Sequence, residues 1–373
     1  KQYEGEIMKI LIIGYMHPKL DKRVSRTVSS LSKSHEIIYQ YWTDREEKKY
    51  QDGNITYIPI KYTKGTKGNP LRKLLNRRAL DKIICDLIKN EDYDILYMHH
   101  FLASRPLEPF KIAKKRNKKI VYDIHEYHPE NFLAELPGII GEVKTNIVWR
   151  LFKKQLKLSD LAIFVSGETR NDVIDKVGIT KDKTFIMPNY ANFSLKPDIK
   201  KKQKEIVLVG KVTRKIEDEK KLLNTLIKKG FSFKVIGMDS QEFDDIPHAS
   251  TSFLPYNEMM EELSKAAFSL ISYNTVKDRH YKNDIFALPH KYYDSIAAGT
   301  PVIVKESFIS MAKQVEELGI GLVINPSNTE QSIEKIQKAY ENYETILKNI
   351  EKYQKYFVWS QEKEKEFLKI IEL

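Results

Sequence analysis

Residues 288–303 read LPHKYYDSIAAGTPVI and hold the pairing with the clearest chemistry in the chain. Pro289 lacks an N–H and has a fixed φ, which suits the opening of a helix. A short helix over 290–298 follows. Tyr293, Ile296 and Ala297 share one face, and Lys291 and Asp294, three apart, are neighbours on its surface. Gly299 stands where a helix end needs positive φ, and Thr300 and Pro301 turn the chain into a short buried strand. The N–H groups and dipole at a helix N-terminus attract phosphate. A lysine and an aspartate on such a helix can hold a phosphate and a ribose hydroxyl. On pattern alone the stretch is equally an ordinary helix–glycine–strand unit of an α/β protein.

A second polar set follows the apolar strand at 119–122: Asp123, His125, Glu126, Tyr127, His128 and Glu130. His99 and His100 follow the strand at 94–98, and His17 lies in the loop after the strand at 9–13. Open α/β sheets place ligands at the C-terminal ends of their strands, so these groups belong to one rim. A carboxylate or an imidazole there can act as a base on a hydroxyl, or simply close a hydrogen-bonded turn. No metal is expected, because His125 and His128 are three apart off a strand, not four apart on a helix. A third set, Lys211, Arg214 and Lys215, follows Gly210 and reads as a basic cluster or as the plain solvated cations of a Lys-rich chain. No G-x-G-x-x-G is present, so the dinucleotide fingerprint is missing.

Two α/β domains must position these groups, because 373 residues exceed one ordinary core. The first opens with the strand at 9–13 and Gly14, then a helix capped by Asp21. Further strands are expected at 36–42, 55–60, 94–98, 119–122, 161–165 and 184–187. Leu74, Leu75, Ile83, Ile84, Leu87 and Ile88 give the helix at 71–89 an apolar side, and Ile147, Val148, Leu151 and Phe152 turn inward from a helix at 143–158. Residues 191–204 are Lys-rich, carry Pro197 and read as the linker. At 205–210 a strand and a glycine restart the pattern. A surface helix at 327–348 and a last helix to about 371 close the chain. The loop at 61–70 reads as solvated and the loop at 273–287 as a sugar contact.

Composition narrows the class. Hydrophobic residues make up 41% of the chain, which excludes a disordered protein. No apolar run is long enough to span a membrane, and the charged start, leading straight into a strand, gives no expectation of a signal peptide. The one cysteine, Cys85, excludes a disulfide framework and reads as a buried structural thiol, so a cytoplasmic setting is expected. The net charge of +12 is spread along the chain. Nucleic acid, an anionic membrane surface, an anionic substrate or plain lysine richness all accommodate it. Without a recognised module or basic blocks interleaved with aromatics, nucleic acid is not the expected partner.

Residues 288–303 resemble the nucleotide-binding helix of GT-B glycosyltransferases of the family-four type, P-x-K-x-x-E-x-x-A-x-G-x-P-V-I. Pro289, Lys291, Ala297, Gly299, Pro301, Val302 and Ile303 carry the match, and Asp294 stands for the glutamate. Asp123-x-His125-Glu126, Pro188-Asn189 and the run Asp21-Lys22-Arg23-Val24 are similar to further pieces of that family, in the same order. The resemblance implies two Rossmann-like doubly wound parallel-sheet domains facing a cleft, at 8–190 and 203–356, with the end of the chain, 357–373, crossing back to the first. It implies transfer of a hexose from a nucleotide diphosphate sugar, UDP-linked, to a glycan, lipid-linked or protein-linked acceptor in surface glycan synthesis. A peripheral place on the inner membrane face goes with that role. Lys211, Arg214, His290, Lys291 and Asp294 would bind the nucleotide sugar. His125 and Glu126 would be catalytic, and His17, Asp123 and Asn189 would lie on the acceptor or sugar side. The resemblance implies no cofactor and no metal. Retaining members carry a second glutamate eight positions before the first. Phe286 stands there, so the stereochemical outcome stays open. A nucleotide-sugar epimerase of the same fold and a non-catalytic partner subunit of a transferase are the alternative readings.

Overall fold

A computed structural model describes residues 6–62, 70–127, 138–210, 216–237, 241–272 and 282–372. The chain divides into two compact units, Lys1–Met187 with Gln361–Leu373, and Pro188–Ser360.

The first unit is built on eight strands in the order β3-β4-β2-β1-β5-β6-β7-β8. They are β1 (Lys9–Pro18), β2 (Glu36–Thr43), β3 (Tyr50–Asp52), β4 (Ile55–Lys61), β5 (Ile95–Met98), β6 (Lys119–Ile124), β7 (Leu161–Phe164) and β8 (Thr184–Ile186). All neighbours pair parallel except the hairpin β3–β4, which turns at Gly53. The inner strands are continuous apolar runs, as a sheet covered on both faces requires. The helices α1 (Lys22–Leu31), α2 (Pro70–Asn90), α3 (Glu108–Lys115), α4 (Gly138–Leu158) and α5 (Gly167–Val177) make the crossovers. Leu80, Ile84 and Ile88 of α2, Phe110 of α3, Phe152 and Leu156 of α4 and Val173 of α5 share one core with Leu11, Leu96 and Tyr122.

Two helix faces differ from the sequence pattern. In α2 the buried stripe is Leu80, Ile84, Cys85 and Ile88, while Leu74, Leu75 and Ile83 are exposed. In α4 Val148, Phe152 and Leu156 repeat at helical spacing inward, and Ile147, a quarter-turn away, is exposed. The last helix, α13, packs on the first unit: Glu364 accepts from Ser30 Oγ at 2.7 Å and from Lys33 Nζ at 2.6 Å, and Lys119 Nζ donates to Ile371 O. It spans Gln361–Glu372.

The second unit has six strands, all parallel, in the order β11-β10-β9-β12-β13-β14. These are β9 (Gln203–Val209), β10 (Ser232–Ile236), β11 (Ala249–Thr251), β12 (Ala266–Ile271), β13 (Val302–Lys305) and β14 (Gly321–Ile324). Its helices are α6 (Glu217–Lys228), α7 (Tyr256–Lys265), α8 (Lys282–Ile285), α9 (His290–Ala297), α10 (Ile309–Leu318), α11 (Thr329–Glu341) and α12 (Tyr343–Tyr353). The expected single helix at 327–348 is broken at Asn342, where burial of Tyr343, Leu347 and Ile350 restarts the apolar period on a new axis. The expected linker is not a free tether. Leu195 N donates to Ala297 O, and Ala191 bridges Val358, so segment 188–202 and residues 357–360 pack into this unit.

Candidate functional site

In each sheet the strand order reverses beside the first strand, between β1 and β5 and between β9 and β12. Ligands of open α/β sheets bind outside the carboxyl ends of the strands at such switch points.

In the first unit, β1 runs past Gly14, whose added Cβ would lie 2.9 Å from Gln40 O. The strand delivers His17 to the rim. His17 Nδ1 lies 3.0 Å from Asp21 Oδ2. The other oxygen of Asp21 accepts from Arg23 N and Val24 N and so caps α1. Burial alone would raise the Asp21 carboxyl, but the bond from His17 and the helix N–H hold it well below the usual carboxylate range. The His17 ring sits 4.9 Å from that of His125. His125 Nε2 meets His99 Nδ1 at 3.0 Å, so one ring donates to the other. Burial pushes both imidazoles well below their ordinary range, which keeps the pair neutral near pH 7.

Asp123 lies behind this ladder. It is fully buried, accepts from Arg23 Nε and Nη2 and from Tyr97 OH, and has no surface for the acceptor or sugar side where the sequence pattern put it. Its Oδ2 lies 3.4 Å from His99 Nδ1 and its Oδ1 lies 3.9 Å from His125 Nε2. His99, Asp123 and His125 approach one another closely enough for a metal. The Arg23 guanidinium donates to both Asp123 oxygens, so the carboxylate of this trio already carries a cationic partner. Glu126 is exposed beside His125, and its carboxylate has no partner among the described residues.

In the second unit, Gly210 ends β9 at φ 93° and Ser272 ends β12. No side chain caps the N-terminus of α9, which starts at this rim. Lys291 Nζ donates to Ser272 O at 2.9 Å. Burial, with Lys305 nearby, pushes the Lys291 amine down to about 8. Glu219 Oε1 accepts from Ser272 Oγ at 2.6 Å and from Lys305 Nζ at 2.7 Å. Lys291 and Lys305 thus bring two ammonium groups to this rim beside the Glu219 carboxylate. The sequence pattern did not reveal Glu219 or Lys305: each stands alone in an unremarkable stretch, and only the strand ends bring them together. Asp294, one turn along α9, is nearly buried, and Tyr256 OH donates to its Oδ1 at 2.7 Å. His290 is half-buried at the first position of α9. Asn189 Nδ2 donates to Leu288 O at 3.0 Å, so it anchors the segment before α9. Lys211, Arg214 and most of the loop at 273–287 lie outside the described residues.

Two switch-point rims on two doubly wound units define a GT-B protein. Residues 27–194 match the family model Glycosyltransferase Family 4, and residues 206–359 match Glucosyltransferase 3-like, C-terminal domain. The chain belongs to the GT-B glycosyltransferases of the family-four type. Solved structures share the fold. Sucrose-phosphate synthase from Thermosynechococcus elongatus is 11% identical at a TM-score of 0.70, over 98% of each chain. WaaG, a glycosyltransferase involved in lipopolysaccharide biosynthesis, is 12% identical at 0.59, over 97% of this chain and 99% of its own. A UDP-N-acetylglucosamine 2-epimerase is 11% identical at 0.54, over 93% of this chain and 91% of its own. A comparison with curated proteins finds no match in sequence.

Proposed function

We propose that the protein transfers a hexose from a UDP-linked sugar to a lipid-linked glycan in surface polysaccharide or glycoconjugate synthesis, without a metal. The observation that carries this reading is the position of Lys291: at the β9/β12 switch point, on the uncapped N-terminus of α9, one turn before Asp294. Lys291 and the helix N-terminus hold the diphosphate, and Asp294 holds the ribose. As the bond from the sugar C1 to the diphosphate oxygen breaks, the electron pair goes to that oxygen, and the Lys291 and Lys305 charges stabilise it. The acceptor hydroxyl attacks C1. If the configuration inverts, Glu126 takes the hydroxyl proton, and neutral His125 is the second candidate. If it is retained, both orient the sugar.

Exposed apolar side chains support a lipid-linked acceptor. Leu71, Leu74 and Leu75 open α2, and Ile139, Ile140 and Val143 open α4. Each helix follows a strand of the first sheet, so its first turns belong to the rim that carries His17 and His125. Exposed Arg72, Lys73, Arg150 and Lys154 share these helices and suit an anionic membrane surface.

The test is kinetic. Asp294→Ala is expected to raise the donor KM at least tenfold, and wild-type donor kinetics in that variant would overturn the assignment. Products made without any acceptor would point to an epimerase. A second reading, a non-catalytic partner subunit, is favoured by Phe286 and by Asp294 in place of glutamate. It predicts no nucleotide-sugar binding in calorimetry together with tight capture of a transferase.

A further inference from the structure

Tyr256 begins α7, and its hydroxyl donates to Asp294 Oδ1 at 2.7 Å. The Tyr256 hydroxyl oxygen in turn accepts the Asn192 N–H at 3.1 Å. The Tyr256 ring stands edge-on to Phe193, with centroids 5.6 Å apart. It packs against the core that holds Ala191, Met260 and Ala297. The hydroxyl is therefore fixed from behind by the ring and from the side by the backbone. An aspartate is one methylene shorter than glutamate, with one torsion fewer to find a ligand. A hydrogen bond of this length to an ionised carboxylate is of the strong, charge-assisted kind. Held at Oδ1, the carboxylate cannot rotate freely about its own bond.

We infer that Tyr256 is a positioning residue for nucleotide recognition: its hydroxyl sets the plane of Asp294, which grips the ribose. This rests on the donor reading given above. Tyr256 touches no substrate atom in this account and acts only through Asp294. A glutamate at 294 would push its carboxylate into the Tyr256 hydroxyl, so the aspartate and the tyrosine form a matched pair.

Calorimetric titration with UDP, GDP and ADP, which share the ribose and diphosphate, tests the pair. Tyr256→Phe keeps the ring packing and exposes the Asn192 N–H to water, so folding, read by circular dichroism melting, is expected to stay intact. For the diphosphate that the wild type binds, Tyr256→Phe should weaken binding about tenfold, the scale of one charge-assisted hydrogen bond. Donor KM should rise with kcat little changed. Asp294→Ala with Tyr256→Phe should bind no more weakly than Asp294→Ala alone. Asp294→Glu should bind poorly by itself and recover in the Tyr256→Phe background. Wild-type affinity in Tyr256→Phe, or losses that multiply in the double variant, would overturn the role of Tyr256 while the donor reading stands. Wild-type affinity in Asp294→Ala, or no binding of any of the three by the wild type, would overturn both.

Discussion

Arg23 and Asp123 lock together across a hundred residues of sequence, with Nη2 2.7 Å from Oδ1 and Nε 3.1 and 3.2 Å from the two oxygens. Neither side chain meets water to any useful extent, at 2% and 0% exposure. Arg23 Nη1 also donates to Met187 O at 2.6 Å. One guanidinium thus ties α1, the end of β6 and Met187, where the chain first leaves that unit. The catalytic candidates stand on this tie, because His125 and Glu126 are the second and third residues after Asp123.

Removing the arginine should be costly. Arg23→Ala strands a buried carboxylate, a change worth about 3–5 kcal/mol. The apparent melting temperature is expected to fall by roughly 10 °C. Arg23→Met with Asp123→Leu, which removes both charges, should recover much of the loss. A single variant that melts within about a degree of the wild type would show that the pair contributes little.

Glu126 and Asp123 are predicted to separate in kinetics. Glu126 is exposed and Asp123 is not. Glu126→Gln should lower kcat about 100-fold if it is the base, leaving donor KM and melting temperature near wild type. Asp123→Asn should lower stability and activity together, since it loosens Arg23 and the imidazoles at once. The anomeric configuration of the product, read by NMR, decides which role Glu126 has. Retention with an unaffected kcat would remove it as base.

Much of the frame was legible in the sequence, because it rests on local rules. Asp21 caps the helix expected of it, and Gly299 at φ 78° ends α9. Apolar runs announced most of the strands. Partnership across the sheet was not legible. Nothing about Asp123 in its stretch says that Arg23 neutralises it, and a pattern of polar residues after a strand reads alike whether they face solvent or the core. The same holds for Tyr256, whose partner lies 38 positions away. Helix faces also misled where a long helix carries two apolar stripes: in α2 the sheet takes Leu80, Ile84 and Ile88 and leaves Leu74 and Leu75 outside.

Lys202 gives a pH prediction. Its Nζ is bonded to Ala266 O at 3.0 Å and Thr300 Oγ1 at 2.9 Å, with no carboxylate partner among the described residues. Burial pushes its amine from 10.5 down to about 7. Between these values the unfolded chain binds the proton and the folded chain does not, so this group makes stability rise with pH across about 7 to 10.5. Below about 7 the folded chain carries a buried cation at full cost. Lys202→Met should therefore gain on the wild type at pH 6 and lose about half of that advantage by pH 9, a swing on the order of 3 kcal/mol. Melting curves at the two pH values measure it. A difference that does not change with pH would show that the lysine stays charged in the fold.

The exposed start of α4 makes the last prediction. Ile139 is 78% exposed, and Ile140, Val143 and Ile147 continue the same face. Arg150, Lys154 and Lys157 follow farther along it. An apolar stripe leading into cations lies well at a lipid interface, where the side chains enter the acyl boundary and the cations meet anionic headgroups. Burying three such side chains contributes about 1.5–3 kcal/mol each. The protein should co-sediment with vesicles containing phosphatidylglycerol and less with pure phosphatidylcholine, and added salt should weaken the association. Replacing Ile139, Ile140 and Val143 with serine should abolish it, with transfer to a water-soluble glycan retained. Wild-type protein that stays in the supernatant with anionic vesicles, or serine variants that still bind them, would assign this face another occupant, and a change in oligomeric state on the same substitutions would identify a second copy of the chain.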